Sequence, residues 1–147
     1  MEFRLVYRGQ LSTSPTARDK HAIREAFHPQ LKQLWSVHPR LRVPMVNMHM
    51  LEGHMIRRLG GFRFVPLVCG YFNNVCALDI LFLRREEPGE LIRHGGDIDN
   101  RLKGLFDGLR IAQDNELIGE APRLGEDPFH CLLEDDKLIT ELKVTHD

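Results

Sequence analysis

Residues 96–109 read GDIDNRLKGLFDGL and decide how the chain is organised. If a helix begins near Asp97 or Asp99, successive side chains lie about 100° apart around its axis. The polar side chains then fall on one side and the apolar ones on the other, as in a helix that packs on a sheet. The polar side comprises Asp99, Asn100, Lys103 and Asp107, and the apolar side comprises Leu102, Leu105, Phe106 and Leu109.

The carboxylates at the start of this helix suit a divalent cation. Asp97 and Asp99 are one residue apart, and a second acidic pair, Asp135-Asp136, precedes another apolar run. Mg²⁺ takes oxygen ligands and is usually held by one or two carboxylates together with substrate phosphates. Lys103 lies one turn further on, where its ammonium can meet a phosphate as a point charge. A capped surface helix with an Asp99–Lys103 ion pair is the alternative interpretation.

The order of these motifs resembles that of the RusA family of Holliday-junction resolvases. The family pattern is an Asp-x-Asp-Asn-x-x-Lys run, an Asp-x-Leu further along the same helix, and an Asp-Asp pair before a final strand. The resemblance covers about residues 80–144, in the second half of the chain. The matching residues are Asp97-Ile98-Asp99-Asn100-Arg101-Leu102-Lys103, Asp107-Gly108-Leu109 and Asp135-Asp136.

The resemblance implies a homodimeric endonuclease that cuts four-way DNA junctions symmetrically, with Mg²⁺ or Mn²⁺ as its cofactor. It also implies three catalytic carboxylates that bind the metal, a catalytic lysine that contacts phosphate, and three polar residues that support them. By position these are Asp97, Asp99 and Asp136 for the metal, Lys103 for the phosphate, and Asn100, Asp107 and Asp135 in support.

The net charge of −1 hides two regions of opposite sign. Residues 1–68 carry eleven Lys and Arg against four Asp and Glu, whereas residues 69–147 carry nine against seventeen. A basic region beside an acidic one suits a metal nuclease, because acidic groups bind cations and basic groups bind the phosphate backbone. A chance asymmetry on a solvated surface explains the same counts. The candidate DNA contacts are Lys103, Arg57, Arg58 and Arg63.

Length and composition favour one globular domain. The pattern along residues 1–147, with the resemblance, predicts an α/β (α+β) fold in which helices flank a small mixed sheet. No apolar run approaches the roughly 18 residues of a transmembrane helix, which predicts no membrane partner. The three cysteines form no CxxC pair and the N-terminus has no signal-peptide core, so we expect a cytoplasmic protein with free thiols.

Hydrophobic periodicity and turn residues predict the other elements. Pro29 should kink the first helix or divide it in two, and Asn73-Asn74 should turn a hairpin. Asp79 should lie on an exposed sheet face or belong to the acidic site. The predicted elements are a strand at 3–7, a helix beginning at Ser14-Pro15, a loop at 38–44, hairpin strands at 62–70 and 75–83, and a closing strand at 138–144.

The long segment from Gln113 to Leu133 leaves several functions open. Loops of this length are often functional, so we expect a lid over the site or a contact with the dimer partner. If the segment holds Asp136 away from the motif, the chain is a catalytically inactive or regulatory junction-binding module. A generic metal-dependent DNA phosphodiesterase acting on flaps or nicked DNA, and a purely structural protein, are the remaining alternatives.

Overall fold

A computed structural model describes residues 1–46, 48–83 and 95–146. It confirms the mixed α and β class, with helices beside two small sheets. Among the described residues no helix is long and apolar enough to cross a membrane. The elements are α1 (Ala17–Val37), α2 (Pro39–Val46), α3 (Met48–Leu51), β1 (Arg57–Leu59), β2 (Phe62–Val68), β3 (Cys76–Phe82), α4 (Gly95–Leu109), β4 (Phe129–Leu133), β5 (Ile139–His146) and two 3₁₀ helices, Asp114–Glu116 and Asp136–Leu138.

The start of α1 is set by a capping box at Thr16, slightly later than the predicted Ser14-Pro15. The Thr16 hydroxyl accepts a hydrogen bond from the Asp19 N–H at 3.1 Å, and the Thr16 N–H donates to the Asp19 carboxylate at 2.9 Å. These reciprocal bonds satisfy donors that the first turn of a helix otherwise leaves free. The residue types at the cap therefore decide where α1 begins.

Pro29 lies inside α1, which continues through it as one helix to Val37. The predicted division into two short helices is therefore wrong. Proline inside a helix costs about 3 kcal/mol, because it removes a donor and crowds the preceding turn. Burial of each large apolar side chain contributes roughly 1.5–3 kcal/mol, which offsets that cost. The buried apolar stripe of α1 consists of Ile23, Phe27, Leu31 and Trp35.

The strands form two separate sheets. β2 is the middle strand of the first, antiparallel to β1 and parallel to β4. β3 pairs in parallel with β5, which confirms the predicted closing strand. The predicted hairpin is wrong, because β2 and β3 share no ladder even though a turn containing Asn73 connects them. Asp79 is exposed on β3, as one of its two predicted placements requires.

The Asn74 side chain explains why the hairpin does not form. Its Nδ2 donates to the Leu67 carbonyl at 3.0 Å, and its Oδ1 accepts from the Cys69 N–H at 2.8 Å. This amide thus engages backbone groups at the end of β2, whose first residues pair with β1, and it satisfies groups that would otherwise stay unpaired. β3 is consequently free to pair elsewhere.

Two shorter predictions near the ends of α1 also need correction. The predicted loop at 38–44 is wrong, because α2 begins at Pro39, a favoured first helical residue, and buries Leu41 in the core. The predicted N-terminal strand at 3–7 is not formed, because this segment pairs with no strand of the described chain. The Gln30 side chain takes that role, since it accepts from the Val6 N–H at 2.9 Å and donates to the Val6 carbonyl at 2.8 Å.

Two glycines let α4 lie close against α1 and the loop before it. A Cβ atom on Gly108 would lie 2.6 Å from Ile23 Cγ2, and one on Gly104 would lie 3.0 Å from Pro15 Cγ. Real Cβ atoms essentially never approach a neighbour as closely as the first of these. Glycine therefore sets the distance between the helices. The buried residues of the predicted apolar face of α4 are Leu105 and Leu109.

Arg24 ties α1 to the end of α4. Its Nη2 donates to the Asp107 carbonyl at 2.7 Å and its Nε donates to the Arg110 carbonyl at 3.1 Å, groups that a helix end leaves without partners. Glu116 balances the charge, with its Oε1 3.0 Å from Nη2. Both side chains are almost fully buried. Burial lowers the pKa of Arg24, and the charge of Glu116 opposes that shift.

Residues 113–128, part of the predicted lid or dimer contact, are held along α1 as a brace. Arg18 Nη1 lies 2.9 Å from Glu120 Oε1, and Arg123 Nη2 lies 2.8 Å from Glu25 Oε2. Side chains of α1 therefore engage the segment along its length, and its role as a lid or as a dimer contact stays a prediction. Further contacts to the Gly125 carbonyl come from His28 Nε2 at 2.9 Å and Lys32 Nζ at 3.0 Å.

Gly108→Ala should lower the free energy of unfolding by about 1–2 kcal/mol, because the overpacking against Ile23 exceeds the gain in helix propensity. Urea unfolding measures the change. Gly61→Ala is the matched control, since its Cβ would lie 3.5 Å from the nearest atom, Pro122 Cδ, and should cost far less. Equal losses in the two variants would contradict close packing at Gly108.

Glu116→Gln should lower the free energy of unfolding by about 3–5 kcal/mol, because it leaves Arg24 as an uncompensated buried charge. Glu120→Gln removes a carboxylate from Arg18, whose side chain is 58% exposed, and should cost less than about 1 kcal/mol. Urea unfolding of the two variants gives the comparison. A small effect at both positions would show that burial of the Arg24–Glu116 pair adds nothing.

Candidate functional site

The polar face of α4 carries three predicted site residues to the surface. Asp99, Asn100 and Lys103 are all exposed, and the four-residue spacing places Asp99 and Lys103 next to each other on the helix. Asp97 lies in the first turn, but its side chain is outside the described residues. Free N–H groups in that turn favour negative charge. This end of α4 can therefore hold acidic ligands next to a lysine.

Asp107 lies on the same helix in a different environment. Lys20 Nζ is 3.0 Å from its Oδ2, and Arg110 Nη2 is 3.0 Å from its Oδ1. Both carboxylate oxygens are thus engaged by cationic side chains, and the side chain is partly buried. Asp107 can support the site by anchoring the end of α4, whereas its oxygens are already occupied by protein partners.

Asp135 and Asp136 follow β4 at the start of the 3₁₀ helix Asp136–Leu138. The Asp135 carboxylate accepts a hydrogen bond from the Lys137 N–H at 2.9 Å. That bond holds the pKa of Asp135 below its usual value, helped by a hydrogen bond with Asp136 and by the charges of Lys137 and Arg110. Asp136 is exposed. The pair therefore combines a carboxylate that stays ionised with one that solvent can reach.

Asp136 lies in an open groove beside α4. The groove has a volume of about 330 Å³ and is lined by Phe106 of α4 and by the start of β5. Phe106 is about 10 Å along the helix axis from Asp99 and less than one turn beyond Lys103, given a rise of 1.5 Å per residue. The structure thus brings Asp136 alongside α4, at a level closer to Lys103 than to Asp99.

A metal site cannot be read directly from the described side chains. Among them, no three His, Cys, Asp or Glu residues form a group that could hold a metal ion. Asp97 is one of the three predicted ligands, and its side chain lies outside the described residues. The assignment of Asp97, Asp99 and Asp136 as metal ligands stays a prediction.

Arg101 lies inside the acidic motif but was not among the predicted site residues. Its Nη1 donates to the Leu11 carbonyl, and it lines a small pocket with Ser12 and Asp19. The contact holds the N-terminal loop against α4. Its position in the sequence indicates this structural role, because a residue two positions after Asp99 points to the opposite side of the helix.

Two of the three arginines predicted to contact DNA are engaged by acidic side chains. Arg58 Nε lies 2.6 Å from Glu52 Oε1, and Arg63 Nε lies 2.7 Å from Asp127 Oδ1. The hydrogen bond from Asp127 raises the pKa of Arg63. Arg57 is exposed on the same short strand as Arg58. Further exposed arginines on α2 are Arg40 and Arg42.

A second group of titratable side chains, His21, His28 and His130, is buried in the core. The His28 and His130 rings stack with centroids 5.6 Å apart. His28 Nδ1 accepts from the His130 N–H at 2.9 Å, while Nε2 faces the Gly125 carbonyl, a pattern that suits the neutral ring. Burial lowers the pKa of all three, that of His130 to about 3. These residues are too enclosed to meet a substrate.

A scan against protein-family models, a search of curated proteins and a search of solved structures each found no match to this chain. The resemblance to the RusA family therefore rests on the motif residues of α4 and on Asp135-Asp136.

The buried histidines should make stability fall in acid. Their folded pKa lies below the ordinary value of about 6.5, so the unfolded chain binds protons first as the pH falls. The contribution of each buried histidine to the free energy of unfolding is then fully present above about pH 6.5. Below that pH it is lost by up to about 1.4 kcal/mol per pH unit for each histidine. For His130 the loss continues to about pH 3. Urea unfolding from pH 7 to pH 5 measures the slope.

His130→Leu should reduce that slope, since it replaces the imidazole with an apolar side chain of similar size. His49→Leu is the matched control at an exposed position. Identical slopes in the wild type and His130→Leu would show that His130 does not contribute to the acid sensitivity.

Proposed function

We propose that this chain is a divalent-metal-dependent endonuclease that cuts branched DNA, with four-way junctions as its substrate. The observation that carries the proposal is the groove beside α4 that contains Asp136, because the exposed face of the same helix presents Asp99 and Lys103. Two acidic segments that are distant in the sequence thus lie beside the same helix. The proposed catalytic residues are Asp97, Asp99, Asp136 and Lys103.

The available ligands suit Mg²⁺ or Mn²⁺. Asp97, Asp99 and Asp136 offer carboxylate oxygens, which hard divalent cations prefer. Asp135 adds negative charge beside Asp136, because its lowered pKa keeps it ionised. A bound cation would supply charge neutralisation at the scissile phosphate and a more acidic water molecule.

Lys103 and Asn100 act on the phosphate in this proposal. The Lys103 ammonium is exposed beside Asp99 and can donate to a nonbridging phosphate oxygen. Negative charge on that oxygen grows in the transition state, so the lysine stabilises the transition state more than the ground state. The exposed Asn100 amide can donate to the same group. We expect a 5′ phosphate product, as the RusA resemblance implies.

The proposed partners are the DNA backbone and a second subunit. Exposed Arg57 and the exposed arginines of α2 can bind phosphates, a contact that weakens with salt. A homodimer with two sites would nick two strands and match the two-fold symmetry of a four-way junction. A cytoplasmic location, where thiols stay reduced, suits the free cysteines. These are Cys69, Cys76 and Cys131.

Asp99→Asn should lower junction cleavage at least about 100-fold, because loss of a metal-binding carboxylate removes several kcal/mol of transition-state stabilisation. Junction binding should remain, since the change removes a metal-binding carboxylate and leaves in place the exposed arginines that the proposal assigns to DNA. The measurement uses a labelled synthetic four-way junction with Mg²⁺ and with EDTA. Paired symmetric nicks report cleavage, and a gel shift reports binding.

Asp114→Asn is the matched control, because Asp114 is an exposed aspartate of the brace and should cleave as the wild type does. Full cleavage by Asp99→Asn would remove Asp99 from the site. Binding without nicks by the wild type, with Mg²⁺ and with Mn²⁺, would favour the inactive junction-binding module. Faster cutting of flaps or nicked duplexes than of junctions would favour the generic phosphodiesterase.

A further inference from the structure

The sheet formed by β3 and β5 is far less covered than the rest of the fold. The two strands pair along the whole of β3, yet none of their residues is buried. All of β4 and nearly all of β2 are buried. Parallel strands occur almost exclusively in sheets with both faces covered, and two strands alone are marginally stable. Such a sheet is typical of one part of a larger sheet.

β5 is the more open of the two strands. Its consecutive residues 140–143 are exposed, so both faces are open there, whereas exposure alternates along β3. Leu142 is 45% exposed. The groove that contains Asp136 follows the strand and is lined by Glu141 as well as Leu142, which point to opposite faces. In the described chain no strand pairs with the outer edge of β5.

We propose that a second copy of this chain pairs with that edge, with the two β5 strands antiparallel about a two-fold axis at Leu142. Glu141 then faces Lys143 of the partner subunit, and Lys143 faces the partner subunit's Glu141. Residues directly opposite each other in an antiparallel pair share a face, so both ion pairs lie on one face and the two leucines meet on the other.

The charges of β5 favour a second copy of this chain as the partner, with the two-fold axis at Leu142. Glu141 and Lys143 are placed symmetrically about Leu142, so the strand is complementary to itself there. An axis shifted by one residue would set Glu141 against itself or Lys143 against itself, and like charges directly opposite are unfavourable. A two-fold interface requires this kind of self-complementarity. The product is a four-stranded sheet in which the open edges of both β5 strands are paired.

This interface deepens the homodimer part of the proposed function and rests on it. The groove that contains Asp136 is lined by residues 139–142 of β5, so the paired strand of the second copy would become one wall of that groove. The two candidate sites would therefore be related by the same axis. The expected arrangement is one symmetric unit with a site on each side of the central strands.

Sedimentation equilibrium of the whole chain, without DNA or metal, tests the interface. The wild type should be a dimer. Leu142→Asp places two carboxylates at the axis and should weaken dimerisation at least about 100-fold. Leu81→Asp is the matched control, because Leu81 is 57% exposed on the other face of β3 and away from the β5 edge. It should leave the dimer unchanged.

Glu141→Lys tests the charges separately from the leucine contact. It sets like charges across the axis and should weaken dimerisation at least about tenfold, with a smaller effect at high salt because exposed charges are screened. The opposite residue of β3 is Ala77, so the change introduces no like-charge neighbour across the β3–β5 ladder. A dimer that is unaffected by both Glu141→Lys and Leu142→Asp would overturn the proposal, as would a wild-type monomer.

Far-ultraviolet circular dichroism establishes whether each variant folds. If Leu142→Asp does not fold, oxidation of Leu142→Cys decides the matter, because the axis brings the two thiols within reach of a disulfide. Leu81→Cys and the wild type, with its own free thiols, are the controls. Absence of a crosslink specific to Leu142→Cys would overturn the interface. A dimer that cuts no DNA would instead refute the nuclease and leave the interface standing.

Discussion

The buried guanidinium of Arg24 is the constraint on which the arrangement of the fold depends. A charge in the core is costly unless several groups meet it at once. Arg24 finds those groups at the end of α4 and in Glu116. The chain then turns at once toward β4, since the Ile111 N–H donates to the Leu133 carbonyl at 2.9 Å. Arg24 thus fixes the end of α4, which carries the first acidic segment, next to the end of β4, which leads into the second. Arg24 itself belongs to neither segment.

The helix that presents the candidate site was predictable because its pattern is local. Leu105 and Leu109 face the core while Asp99 and Lys103 face solvent, as helical spacing requires. The predicted hairpin did not form, for one local reason and one reason that is remote in the sequence. The Asn74 amide engages backbone groups at the end of β2, and β3 finds its partner in β5, which is more than fifty residues later in the chain.

The sequence alone gives no reason to distinguish the acidic residues of the motif, whereas packing gives them different environments. Lys20 of α1 engages Asp107 and leaves Asp99 exposed. Packing also determines the role of residues 113–128, whose Gly, Pro and acidic residues are typical of a loop. Arginines of α1 convert that loop into a brace. Such contacts join residues that are remote in the sequence, so spacing along the chain cannot reveal them.

The brace also bears on how the chain folds during its synthesis. Arg24 and Glu116 are 92 positions apart, and His28 and His130 are 102 positions apart. A ribosome adds roughly 5–20 residues per second, so α1 waits for several seconds in water before its buried partners emerge. Contacts of such long sequence separation are slow to form. The buried contacts of α1 therefore form only after the second half of the chain has been made, and nascent α1 is a segment that a chaperone would be well placed to protect.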